Sequence, residues 1–182
     1  MLYITIPETE LFDEVNEKFI KIKEQKLCLE HSLISLSKWE SRNRIRFIDN
    51  KDITEDQMLD YIYCMIVTPV NYDKQNLLGL TKENVTEIKN YISESKTATI
   101  LPDSKGNGKS GPKENITSEL IYYWMIACGI PFECEKWHLD RLITLIRICQ
   151  IKNEPSKNLS KYDALSRTKS LNAARRAAKR SH

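Results

Sequence analysis

The chain reads as an α+β protein, mostly helical, with a small N-terminal β-sheet, a helical domain after it and a basic C-terminal helix. Three observations predict this. Alternating apolar residues occur only in short runs near the start, as in Leu2-Tyr3-Ile4-Thr5-Ile6. From Ser32 onward the apolar period switches to that of a helix. Five glycines and six prolines in 182 residues leave long stretches without a helix breaker.

Leu2 to Ile6 alternates and stops at Pro7, which predicts a first strand. Phe19 to Lys23 and Lys26 to Glu30 alternate in the same way and predict two more. Thr97 to Leu101 is the candidate partner strand, so the small sheet would close by a non-local pairing. Ser32 to about Arg44 carries Leu33, Leu36 and Trp39, with Ile34 beside them, on one helical face. Thr54-Glu55-Asp56-Gln57 has the form of a capping box: the Thr54 hydroxyl accepts the amide of residue 57 and Gln57 reaches back. The helix after it buries Met58, Tyr61, Ile62, Met65 and Ile66 and ends before Pro69. Thr81 opens another, with Glu83 in its first turn and an apolar stripe of Val85, Ile88, Tyr91 and Ile92.

Residues 102–115 hold three of the five glycines, two prolines and almost no apolar side chain, and read as a loop or linker. Thr117 caps the next helix, Gly129 ends it and Pro131 blocks continuation. A second helix is expected over Glu133 to Gln150, completing a helical hairpin. After a break around Pro155, Ser160 starts a terminal helix with Asp163 in its first turn. The organisation is therefore 1–101, a β-plus-helix portion; 102–116, a linker; 117–152, the hairpin; and 153–182, a basic arm.

Composition sets limits on function. The 41% hydrophobic and 29% charged residues suit a packed core under an ordinary surface. No apolar run reaches the length of a membrane span, and MLYITIPETE lacks the features of a secretory signal. Cys28, Cys64, Cys128, Cys134 and Cys149 are odd in number and lie in apolar or mixed stretches, as reduced, buried thiols would. The net charge of +3 is uneven: residues 151–182 carry nine Lys/Arg against Glu154 and Asp163, about +7, and leave the first 150 residues at about −4. A basic arm on a mildly acidic body points to an anionic partner for the arm.

Motifs for catalysis do not hold up in context. Gly106-Asn107-Gly108-Lys109-Ser110 suggests a phosphate loop, but position 103 is Asp where the pattern needs Gly, and Gly111-Pro112 follows where a helix should begin. Cys128, Cys134 and His138 could meet at a corner, yet a fourth ligand from Cys149, His31 or Cys64 falls outside zinc spacing. His138 as base for Cys134 or Cys128 lacks an oxyanion loop and a glycine elbow. The chain is read as a non-enzyme with no cofactor and no metal.

Binding surfaces are better supplied. Trp39 and Trp137 fall on apolar helical faces and are expected in the core. Tyr122, Tyr123 and Trp124 occupy adjacent positions of one helix, so at least one points away from the core and is a candidate protein contact. In the arm, Leu165, Thr168, Leu171, Ala174 and Ala178 form a thin apolar stripe among Arg167, Lys169, Arg175, Arg176, Lys179 and Arg180. Such a helix can neutralise phosphates or sit in a groove of a protein partner.

Three stretches carry a family resemblance: Leu29-Glu30-His31-Ser32-Leu33-Ile34-Ser35-Leu36-Ser37-Lys38-Trp39-Glu40-Ser41; Thr117 to Met125 continuing through Gly129 to Leu142; and Leu171-Asn172-Ala173-Ala174-Arg175-Arg176. Together they resemble a family of small tailed-bacteriophage proteins described as tail assembly chaperones. The chain departs from that pattern within Arg42 to Asp49, where Phe47-Ile48 stands without the Pro of a Pro-Phe-Leu element. The resemblance implies a morphogenesis factor in the cytoplasm of the infected bacterial host. It would bind the helical tape-measure protein, covering its apolar faces while the tail tube polymerises. Self-association is an expectation kept open for the chain apart from the resemblance. Two other readings remain open: a nucleic-acid-associated phage protein using the basic helix, and a structural head–tail or tail component of the virion.

Overall fold

The structure, a computed structural model, describes residues 1–13, 17–69, 72–101 and 115–153. The chain divides into two compact units, Met1–Arg147 and Ile148–His182. The first unit holds every described strand and nearly all of the described helical residues. The expected terminal helix, the linker 102–114 and the arm residues Arg167, Lys169, Arg175, Arg176, Lys179 and Arg180 lie outside the described residues.

Among the described residues, five strands form two antiparallel sheets. β1 (Leu2–Ile6) pairs with β4 (Gln25–Leu29), and β2 (Thr9–Asp13) pairs with β3 (Lys18–Ile22). Both pairs keep one register, since Ile6↔Gln25 is followed by Thr9↔Ile22, three residues further along each strand. The four strands are thus one long hairpin, interrupted at Pro7-Glu8 and Lys23-Glu24. Pro7 has no N–H to give to a ladder, which marks the interruption. Its inner half joins β5 (Ile66–Thr68) in a sheet of order β1-β4-β5. β2 is not legible as a strand in the sequence, because Glu10 and Asp13 dilute its alternation.

The strand that completes the sheet differs from expectation. Thr97–Leu101 forms no strand, and Ile100 is exposed. Its place is taken by β5, directly after a helix, with Leu29 opposite Ile66 and Cys28 opposite Thr68 across a one-residue register shift, and Glu30 N–H donating to Met65 O at 2.9 Å. Ile66 therefore belongs to the sheet and not to the helical stripe. Met-Ile-Val-Thr-Pro satisfies a helical and an extended pattern alike, and the free edge of β4 decides between them.

Helices α1 (Leu33–Asn43), α2 (Glu55–Met65) and α3 (Lys82–Ser93) start where their caps predict. Ser32 accepts from Ser35 N–H, and Thr54 and Thr81 each complete a capping box, with Gln57 and Asn84. Leu33, Leu36 and Trp39 of α1, Tyr61, Ile62 and Met65 of α2, and Ile88 and Tyr91 of α3 are buried together with Ile4, Ile6, Leu27 and Leu29 of the sheet. Trp39 lies at the centre: its Nε1–H donates to Gln57 O at 2.7 Å and its ring meets Phe47 and Tyr61 edge-on. Phe47 stacks on Tyr61 at 3.9 Å between ring centroids, so the segment after α1 is fastened by an aromatic contact. A 3₁₀ turn over Lys74–Gly79 lies on the hairpin. A Cβ on Gly79 would come within 3.0 Å of the Ile6 side chain and 3.2 Å of that of Ile22, so any larger residue there would have to push the two isoleucines aside by a few tenths of an ångström.

The C-terminal part of the unit departs from a plain hairpin. α4 (Ser118–Ala127) is present and packs on α1. Instead of one helix over Glu133–Gln150, a 3₁₀ turn spans Phe132–Lys136, residue 138 bridges back to Ser32, and α5 (Leu139–Asn153) begins only then. Leu139 N–H donates to His31 O at 2.8 Å. The Leu139 amide is thus engaged by the segment that leads into α1, and the helix starts past that bridge. No described helix is long and apolar enough to cross a membrane.

Candidate functional site

α4 is the element whose sequence and environment disagree most. Its segment SELIYYWMIA is apolar around nearly its whole circumference. A helix of that kind is normally enclosed on all sides. Here Ile121 and Met125, one turn apart, are fully buried, whereas Tyr123 and Ile126 are 63% and 64% exposed. Ala127 next to them is exposed too. The helix therefore presents an apolar stripe outward as well as inward.

The ends of α4 are held firmly. Thr117 accepts from Leu120 N–H at the start. The buried carboxylate of Glu40, on α1, accepts from Ser118 N–H at 2.7 Å and from Phe47 N–H at 3.0 Å. A negative charge at a helix N-terminus is favoured by the helix dipole and by the free amides there. At the other end Gly129 adopts φ of 65°, with Gly129 N–H donating to Ile126 O and Ile130 N–H to Met125 O. That is a Schellman termination, and Ile130 and Met125 are both buried beside it.

Of the three predicted contact residues on α4, Tyr123 faces outward, while Tyr122 and Trp124 are half-buried. The Tyr122 hydroxyl donates to Glu135 at 2.8 Å, and burial, aided by that carboxylate, pushes its pKa up. Tyr122 is thereby tied to the 3₁₀ turn and is a flank of the patch, not its centre. Two residues join the surface that the sequence did not single out. Ile126 lies one turn beyond Tyr123. Phe132 is exposed, with its ring 6.3 Å from that of Tyr122. The signal available for Ile126 was its spacing of three from Tyr123; nothing local marked Phe132. Trp137, expected in the core, is exposed instead, with the Arg141 guanidinium 5.0 Å over its ring. The 3₁₀ turn breaks the helical phase that would have turned it inward.

The other concentration of polar groups is internal. His31 Nδ1 and the Tyr61 hydroxyl are 2.5 Å apart, and the His31 and His138 rings meet edge-on at 5.2 Å. His138 Nε2 is 3.1 Å from Tyr91 O, and Asp140 N–H donates to His138 Nδ1 at 3.3 Å. The Tyr91 hydroxyl donates to Glu30 at 2.7 Å, and the Met1 ammonium pairs with the other Glu30 oxygen at 2.9 Å. Burial, reinforced by the second imidazole, lowers the pKa of His31 to about 3; burial also lowers that of His138. Both imidazoles are neutral at pH 7, and the hydrogen bonds join the segment between β4 and α1 to Tyr61 of α2, the last turn of α3 and the start of α5. Both rings are buried.

The cysteines are spread along the chain, with no disulfide among the five. Burial raises the thiol pKa of Cys64 and of Cys134, the reverse of what nucleophilic work requires. Among the described residues no group of three or more His, Cys, Asp or Glu is placed to hold a metal ion. A cleft of about 290 Å³ opens between the start of α1 and β5, lined by Ile34, Lys38, Val67 and Lys136 among others. Its one carboxylate is Glu30, already engaged with Met1 and Tyr91. Comparison with known family profiles, with curated proteins and with solved structures returns no match.

Proposed function

We propose that this protein is a non-enzymatic tail assembly chaperone of a tailed bacteriophage, binding the helical tape-measure protein during tail assembly. The observation that carries the reading is α4, anchored at both ends and buried on one face by Ile121 and Met125, yet exposing Tyr123 and Ile126 on the other. An apolar stripe on a rigid element suits an amphipathic client helix, which contributes its own apolar face. Tyr and Trp are favoured at such contacts because each places a large ring at small entropic cost. The basic residues Arg167, Lys169, Arg175, Arg176, Lys179 and Arg180 would speed encounter with an acidic client. The family resemblance supplies the client's identity, and the host cytoplasm is where such a client is made.

Co-expression tests this. The protein should keep the tape-measure product of its own phage soluble and co-purify with it, and Ile126→Asp together with Tyr123→Asp should abolish capture while leaving the melting temperature unchanged. Unimpaired capture by that double variant removes α4 from the interface. A tube gene upstream and a very long helical gene downstream of the coding region should accompany the protein.

One other reading has a specific feature behind it. The net charge of about +7 over residues 151–182 suits phosphate contact. Nucleic-acid affinity that falls steeply with salt and disappears on removing residues 160–182 would favour it over the chaperone.

A further inference from the structure

The outer half of the long hairpin, β2 and β3, stands apart from the three-stranded sheet. A two-stranded ribbon is marginal by itself and needs cover on at least one face. One face has it: Ile22 is buried against Gly79, and Thr9, Leu11 and Ile20 on the same side are half-buried. By strict alternation the opposite face carries Glu10, Phe12, Phe19 and Lys21. Phe12 and Phe19 are 53% and 67% exposed, with ring centroids 5.0 Å apart across the strands. Lys21 Nζ and Glu10 form an ion pair at 3.6 Å, one step nearer the base of the ribbon. The face is therefore a small square: two rings toward the tip, and one acid and one base toward the body.

We propose that this face is a self-association surface, and that its occupant is the same face of a second copy. The argument is charge and shape complementarity under symmetry. A two-fold axis running along the strands, between two ribbons laid face to face, places each β2 over the other copy's β3. Glu10 then lies over the second copy's Lys21, and Phe12 over its Phe19. A two-fold axis across the strands would instead lay each charged residue over a ring, burying charge without a partner. Only the first arrangement satisfies all four side chains, and it closes as an isologous pair. The ribbon face alone is well short of the roughly 800 Å² per partner of a standard interface. The dimer is accordingly weak, with a dissociation constant in the micromolar range or above.

Sedimentation velocity over a concentration series of the full chain tests this. The wild type should pass from monomer to dimer as concentration rises. Glu10→Lys gives a face with two lysines and Lys21→Glu a face with two glutamates, so each variant alone should dimerise at least about tenfold more weakly. An equimolar mixture of the two should dimerise again, because each lysine of one then meets a glutamate of the other. A purely structural role for the Glu10–Lys21 pair does not produce that rescue. Should either charge variant fail to fold, Phe19→Ser, at an exposed position, should stay folded and remain monomeric. A wild type that is monomeric up to about 1 mM, a mixture that fails to associate while both variants are folded, or a folded Phe19→Ser that still dimerises, each overturns the proposal.

Discussion

α1 and α4 pack against each other, are of similar length and are both capped by a hydroxyl at their first turn, yet they use their side chains in opposite ways. α1 sends Leu33, Leu36 and Trp39 inward, together with the hydrogen-bonded Ser35 and Glu40, so its large apolar side chains are spent on the core. α4 has apolar residues to spare. Ile121 and Met125 secure it, while Tyr123 and Ile126 add nothing visible to the fold. The difference teaches that the interior of this unit is organised around α1, and that α4 is the element with surface left over for another molecule. Glu40 couples the two, since one buried carboxylate on α1 serves the first amide of α4 and the turn bearing Phe47.

Substitutions can break that contrast. Trp39→Ala should have the largest effect, a loss of about 3–5 kcal/mol in a urea titration, because it empties a fully buried site and removes the bond to Gln57 O. Glu40→Ala should follow, at about 2–4 kcal/mol by the same measurement, since one buried and one half-buried amide lose their acceptor together. A smaller loss would mean that water replaces the carboxylate and that the two helices are less tightly coupled than their geometry indicates.

Acid should act next. The folded pKa of His31 is lowered to about 3 against an ordinary 6.5, so below pH 6.5 the unfolded chain binds a proton that the folded chain does not. Stability is thus complete above pH 6.5 and declines as pH falls toward 3, by about 1 kcal/mol between pH 6 and pH 5 from this group. His138, lowered in the same direction, adds to the slope. The groups facing the pair are Tyr61, Asp140, Glu30, Lys96 and the Tyr91 carbonyl. Urea midpoints from pH 7.5 to 5 should show the decline, and His31→Gln should flatten it.

Thr117→Ala should cost about 1 kcal/mol through the lost cap of α4. Ile126→Ser should be smallest, within about 0.5 kcal/mol, because the side chain is already in solvent. A loss of 2 kcal/mol or more at Ile126 would mean that the outward stripe serves the fold, and the contrast between the two helices would disappear.

Much of the fold was legible along the chain, because the deciding interactions are local. The caps at Thr54 and Thr117, the helix start at Thr81 and the stop at Gly129 each rest on groups within a few residues of one another, and all four stand where the sequence places them. β1, β3 and β4 were visible in their alternation for the same reason. The candidate surface was legible only to the extent that three large rings in a row cannot all turn inward. That Tyr123 is the one facing out depends on where α1 lies. Phe12 and Phe19 were invisible as a pair, since their contact exists only once β2 and β3 are in register.

The residue types at each turn determined where helices begin and end, because a hydroxyl or a glycine acts on amides it can reach without help from the rest of the fold. Partner choice was decided by the tertiary structure. Ile66–Thr68 took the sheet edge expected of Thr97–Leu101, and the helix expected from Glu133 waits until Leu139, where the chain bridges back to Ser32 and the Leu139 amide is held by the carbonyl of His31. A backbone hydrogen bond across the fold carries no mark in the side chains of either segment. Which of two eligible stretches receives it is settled by proximity after the core has formed.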